Sequence, residues 1–84
     1  MEPFLGEIRL FPFNFVPVGW AACDGSLLQI RQYTPLFSLI GTVFGGDGQT
    51  TFGLPNLKEQ VPFPPENRQG GYCIALTGVY PSRS

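Results

Sequence analysis

"TPLFSLIGTVFGGDGQTTFGLPNL", residues 34–57, brings together the local signals that decide the fold. Its opening reads as a short helix from Thr34 to Ile40. Thr34 is placed to cap it, Pro35 suits its first turn, Leu36, Phe37 and Ile40 form an apolar stripe, and Gly41 closes it. Two turns of helix do not persist on propensity, so packing must hold them. The run then passes through Gly45, Gly46, Asp47 and Gly48 into "TTFGLPNL", an extended piece broken by Pro55.

The glycine run invites a ligand reading, and the residues argue against the usual ones. A phosphate loop needs lysine and then serine or threonine directly after its last glycine, whereas Gly48 is followed by Gln49. A calcium loop needs oxygen-bearing side chains at alternate positions and a closing glutamate, and here Asp47 stands alone. A structural turn accounts for the run better. Gly45, Gly46 and Gly48 supply backbone conformations that other residues resist, and Asp47 is able to bond its own backbone.

Outward from this run the chain is extended. "GEIRLFPFNFVP", residues 6–17, sets Ile8 and Leu10 in one phase against Glu7, Arg9, Phe11, Phe13 and Phe15 in the other, which predicts a strand over Glu7 to Phe11. Pro12 lacks an amide donor and places that strand at an edge or a bend. "WAACDGSLL", residues 20–28, reads as two short extended pieces about an Asp24-Gly25 turn, in the manner of a hairpin. A closing strand is expected over Tyr72 to Tyr80, with Gly78 as a bulge or a point of close approach. Residues 59–71 hold three prolines and no periodicity, and read as an irregular connector. The fold class expected is mainly β (α+β): a small single domain, 1–84, of short strands with one short α-helix. It divides into a core over 1–58, the connector over 59–71, and a closing strand and tail over 72–84.

Composition narrows the function. An 84-residue chain buries roughly 60 per cent of the surface it exposes when unfolded, which allows one small core. Five basic residues stand against six acidic ones, with no like-charged run, so neither nucleic acid nor an anionic membrane is an expected partner. No basic segment followed by an apolar core opens the chain, so no signal peptide is recognised, and no apolar run is long enough to span a bilayer. The chain has no histidine, which removes the usual base of nucleophilic triads and the usual zinc ligand. Glu2, Glu7, Asp24, Asp47, Glu59 and Glu66 are scattered with no spacing that selects an acid and base pair. The expectation is a non-enzyme with no catalytic residue, no cofactor and no metal.

The words "GEIRLF", "GWAACDGSLL", "LFSLIGTVFGGDGQTTFGLPNL" and "VP" stand in an order and spacing that resembles the phage tail collar domain, shared with the microcystin-dependent protein family. The resemblance runs from Gly6 to Pro62, and "CIALTGVYPSRS", residues 73–84, resembles the closing segment of those proteins. It implies a core of Trp20, Phe37, Leu39, Phe44, Phe52 and Leu54, with Trp20 as a ligand-stacking platform for its alternative. It also implies that Cys23 and Cys73 are neighbours, either bridged or as two buried free thiols. The stretch between "LPNL" and the closing strand is shorter here than in the resembling family, and no shaft is present, which leaves a collar that joins chains.

The function implied is a structural subunit of a phage-tail-like or fibre-like assembly acting by self-association, located in a virion or an extracellular fibre. The expected partner is a second copy of the chain, in a trimer or a filament, with other tail or fibre proteins beside it. With eight phenylalanines and 13 per cent charged residues, the chain has apolar surface to spare for such contacts. Phe4, Leu5, Ile8, Leu10, Phe11 and Phe13 are the interface expected. The alternative is a small module that binds a glycan or another surface ligand on its aromatic residues.

Overall fold

A computed structural model describes residues 2–13, 15–58 and 71–82 of the chain. Among them the elements run β1 (Ile8–Phe11), β2 (Trp20–Ala22), β3 (Leu27–Gln29), a 3₁₀ turn (Ile30–Gln32), α1 (Thr34–Ile40), β4 (Thr51–Gly53) and β5 (Gly71–Ala75). They build two antiparallel sheets, one of three strands in the order β1-β5-β2 and one of β3 with β4. The fold is thus mostly β with one short helix, as the sequence predicts. The connector expected over 59–71 falls outside the described residues except for Gly71, which opens β5.

The helix has the predicted bounds, and Gly41 closes it at φ 56° with its amide bonded to the carbonyl of Phe37. Its start differs from the expectation. Tyr33 occupies the capping position without a side-chain bond, and the Thr34 hydroxyl donates backward to the carbonyl of Ile30 at 3.0 Å. The preceding 3₁₀ turn brings that carbonyl within reach, so the threonine closes the entry to the helix instead of capping its first amides.

Asp24-Gly25 turns the chain without making a hairpin. β2 pairs with β5 through Trp20–Ala75, Ala21–Ile74 and Ala22–Cys73, while β3 pairs with β4 through Leu27–Gly53, Leu28–Phe52 and Gln29–Thr51. The Asp24 carboxylate accepts the Ser26 amide at 3.0 Å, a local turn that redirects the chain from one sheet to the other. The closing strand is also shorter than expected, ending at Ala75. Beyond it Val79 forms a parallel bridge with Phe4, and a side chain at Gly78 would collide with the carbonyl of Pro3, the close approach expected of that glycine.

The core cluster is Leu5, Cys23, Leu36, Phe52, Leu54 and Ile74. It lies where the helix, the two-stranded sheet and one face of the three-stranded sheet meet. Phe37 packs against it with its ring 5.5 Å from that of Phe52. Of the expected core, Phe52 and Leu54 are fully buried, and Phe37 and Trp20 are half-buried. Leu39 and Phe44 are exposed, which corrects the expectation for both. Leu39 falls beside the stripe of Leu36, Phe37 and Ile40, and Phe44 sits on the outside of the glycine turn.

Candidate functional site

The hydrogen bonds around the three-stranded sheet define its open edge. In an antiparallel ladder, residues alternate between pointing their amide and carbonyl at a neighbour and pointing them away. On the β2 side of β5, the Cys23 amide bonds the Tyr72 carbonyl at 3.0 Å and the Leu76 amide bonds the Gly19 carbonyl at 2.8 Å. On the β1 side, the Ala75 amide bonds the Glu7 carbonyl at 2.8 Å. Arg9, Phe11 and the Glu7 carbonyl therefore turn toward β5, and Ile8 and Leu10 turn their backbone toward the other edge, while the Glu7 amide bonds the Phe4 carbonyl at 3.0 Å. Among the described residues no strand pairs with that edge.

The side chains along this edge are apolar on one face and charged and aromatic on the other. Ile8 is 41 per cent exposed and Leu10 37 per cent, at the rim of the face that carries Ile74 and the core. On the opposite face the Arg9 guanidinium lies 5.6 Å from the centre of the Trp20 ring. Phe11 meets that ring edge-on at 5.1 Å, Phe13 follows at 5.2 Å from Phe11, and Phe15 stacks on Phe13 at 4.5 Å. This aromatic ladder, with Arg9 at its head, lies on the face of the sheet that carries Cys73 and Ala75. The residue spacing of two from Arg9 to Phe15 was its signal in the sequence.

Glu7 sits at the start of the edge. One carboxylate oxygen accepts the Phe4 amide at 2.9 Å and the other is ion-paired with Arg9. Those two donors, Arg9 first, hold the Glu7 carboxyl below its ordinary range. It stays charged beside its arginine.

The six residues expected at the interface divide. Phe4, Ile8, Leu10 and Phe13 are exposed and Phe11 is half-covered by Trp20. Leu5 is different: it is 7 per cent exposed and belongs to the core. Its amide bonds the Val79 carbonyl at 2.8 Å, and the Val79 amide returns to the Pro3 carbonyl at 2.9 Å. The segment after the last strand thus clamps the N-terminal residues, and Leu5 is covered by its own chain.

The glycine loop binds itself. Gly45, Gly46 and Gly48 have φ of 127°, 92° and 76°. The Gly45 carbonyl accepts the Gly53 amide at 2.9 Å, which lays the loop along the outer side of β4. Asp47 organises the tip: one oxygen accepts the amides of Gln49, Thr50 and Thr51 at 2.8, 2.8 and 2.9 Å, and the other accepts the Thr50 hydroxyl at 2.9 Å. These donors, led by the Thr51 amide, hold the Asp47 carboxyl well below the usual carboxylate range. The amides that an incoming phosphate would need are already taken by an internal anion.

Cys23 and Cys73 are both buried and free. They are close in the sheet, since Ala22 pairs with Cys73 and Cys23 bonds Tyr72. Antiparallel partners share a face and successive residues alternate. Cys23 therefore points into the core with Ile74, and Cys73 points to the opposite face, between its strand partners Arg9 and Ala22. Burial pushes the Cys23 thiol up to about 12 and raises that of Cys73 as well. Among the described residues no three of His, Cys, Asp and Glu come together, and no helix is long and apolar enough to cross a membrane.

The geometry is that of a small, mostly β domain whose distinctive surface is a strand edge left unpaired among the described residues and flanked by aromatics. The chain belongs to the phage tail collar domain family, whose model matches residues 6–62. That domain is a structural part of phage tails and not an enzyme family, and it implies a tail-associated location in the virion. Comparisons with curated proteins and with solved structures each returned no match.

Proposed function

We propose that this chain is a structural subunit of a phage-tail-like or fibre-like assembly and works by self-association. The reading is supported above all by the edge of β1, which no strand among the described residues pairs and where exposed Ile8 and Leu10 also turn their amides and carbonyls away from the sheet. An edge of that kind satisfies its backbone groups and covers its apolar side chains in one step when a second strand joins it. Repetition of a chain-to-chain contact gives a closed ring or a filament, according to the symmetry of the contact. Other tail or fibre proteins would meet the same assembly.

The test is sedimentation of the purified chain at tens of micromolar beside a Leu10→Lys variant, with circular dichroism to check the fold. The native chain is expected to sediment as an oligomer and the variant to shift toward monomer with its spectrum unchanged. A native chain that stays monomeric overturns the proposal. A second reading, a module that stacks a glycan or another surface ligand, is favoured by the exposed Phe13–Phe15 stack beside Phe11. Loss of glycan binding in Phe13→Ala and Phe15→Ala variants, with assembly intact, would select it.

A further inference from the structure

We propose that the groove between the 3₁₀ turn and the tip of the glycine loop binds a sugar that carries a carboxylate. Gln29, Ile30, Arg31, Gln49, Thr50 and Thr51 line it, and its volume is about 440 Å³. That lies within the range of about 300 to 1,000 Å³ usual for small-ligand sites. The groove belongs to the two-stranded sheet, and the proposal holds whether or not copies of the chain associate.

Its two walls are joined and held. Gln29 pairs with Thr51 across β3 and β4, which sets their side chains on one face, and the Ile30 amide bonds the Thr50 carbonyl at 3.0 Å. Asp47 pins the loop wall from behind through the amides of Gln49, Thr50 and Thr51. A ligand entering such a groove has little left to order, which favours binding. These same bonds occupy the amides of Thr50 and Thr51, and the carbonyls of both are bonded to Ile30 and Gly48. The loop wall therefore presents no ladder of backbone groups to a peptide strand, and recognition falls to the side chains.

The side chains have fixed roles. A guanidinium only donates, so the Arg31 Nε bond to Gln29 Oε1, at 3.3 Å, turns the Gln29 amide nitrogen outward as a donor. That nitrogen and the terminal nitrogens of Arg31 make one end of the groove rich in donors and positively charged, and the planar fork of the guanidinium matches a carboxylate. The Thr50 hydroxyl gives its proton to Asp47 at 2.9 Å and keeps lone pairs that accept from a sugar hydroxyl. The Gln49 side chain both donates and accepts. Ile30, packed against the core, offers an apolar contact to the carbon face of a ring. None of the lining residues is acidic, and the charge of Asp47 behind them is met by four donors. A positive end and a hydroxyl-matching end together complement an acidic sugar better than a neutral sugar or a bare anion.

The experiment titrates the isotope-labelled chain with the methyl glycosides of glucuronic acid and of N-acetylneuraminic acid, with methyl glucoside and with acetate, and follows amide shifts by NMR. At least one of the acidic sugars is expected to bind with a Kd in the millimolar range and to move the signals of Gln29, Arg31, Gln49 and Thr50. Methyl glucoside and acetate are each expected to bind about tenfold or more weakly. Arg31→Ala is expected to abolish the preference for the acidic sugar, and Gln49→Ala to weaken its binding; both residues are exposed, and a thermal melt checks that each variant folds. Phe13→Ala is expected to leave this binding unchanged, which separates the groove from the aromatic ladder. Acetate binding as tightly as the acidic sugar overturns the sugar, and equal binding of methyl glucoside overturns the role of Arg31. Shifts confined to other residues, or none with any of the four ligands, overturn the site.

Discussion

Replacing Gly46 by alanine tests whether the glycine loop is a structural turn, because the geometry allows its cost to be separated into parts. A Cβ at Gly46 would stand 2.6 Å from the Thr51 carbonyl oxygen and 2.8 Å from the Phe52 amide nitrogen, and would also collide with the Phe52 Cα. All three are backbone atoms of β4, whose other edge is held by β3, so they cannot swing aside as a side chain would. The φ of 92° adds a left-handed penalty of about 1 to 2 kcal/mol. Forced displacement of the packed strand adds about 1 to 3 kcal/mol. Gly41 supplies the control. It too has a positive φ, of 56°, with a ψ of −141° that suits glycine, but a Cβ there has nothing within 4 Å, so Gly41→Ala carries a backbone part alone and none from displaced neighbours. Gly48 lies between, since its Cβ would meet only the Thr42 methyl, at 3.1 Å. The expected order of destabilisation is Gly46 over Gly48 over Gly41. The gap between the extremes is about 2 kcal/mol, or a difference of roughly 10 °C in Tm for a domain of this size. Thermal melts followed by circular dichroism measure it. Equal losses at Gly46 and Gly41 would refute the argument, as would a rise of several degrees in native Tm on adding calcium, magnesium or a nucleotide.

Leu5→Ala is expected to cost about 2 to 4 kcal/mol by denaturant titration, because Leu5 is core, and deletion of residues 1–5 to unfold the chain; a folded, merely dissociated deletion product would contradict the clamp on Val79. Trp20→Ala, at a half-buried ring, should cost about 1 to 2 kcal/mol, clearly less than Leu36→Ala at about 3, and the reverse order in denaturant midpoints would place Trp20 in the core after all. For Cys23, burial raises the folded pKa above the unfolded value, so the unfolded thiol gives up its proton first as pH rises. Its contribution to stability is therefore complete below about pH 9 and is lost on the way to about pH 12; Cys23→Ala should lose less Tm over that window, and an identical decline in both proteins would refute the assignment. Two reactive thiols per chain are expected in the denatured, unreduced protein, whereas none would mean a bridge.

The parts of this protein that are local were legible in its sequence. The helix from Thr34 to Ile40 has a proline at its start, a stripe at helical spacing and a glycine at its end, and each signal acts within a few residues. The loop through Gly45 and Asp47 was equally readable, since its bonds close within the run itself. The strand at β1 followed from alternation, Pro12 marked an edge or a bend at its end, and the resemblance of the combined words placed the chain in its family.

What tertiary structure decided was partner and parity. Asp24-Gly25 looks like a hairpin turn, but a strand takes the neighbour that buries its face, and Ala21 found Ile74 while Leu28 found Phe52 across the chain. Leu5 looked like a free terminal residue until the segment around Val79 came back to cover it. Cys23 and Cys73 were expected as neighbours, and they are, but which face each thiol takes depends on the register between β2 and β5. A slip of one residue would exchange the two faces, and no pattern within either segment records it, because register is a relation between two distant pieces of chain that exists only once both are packed.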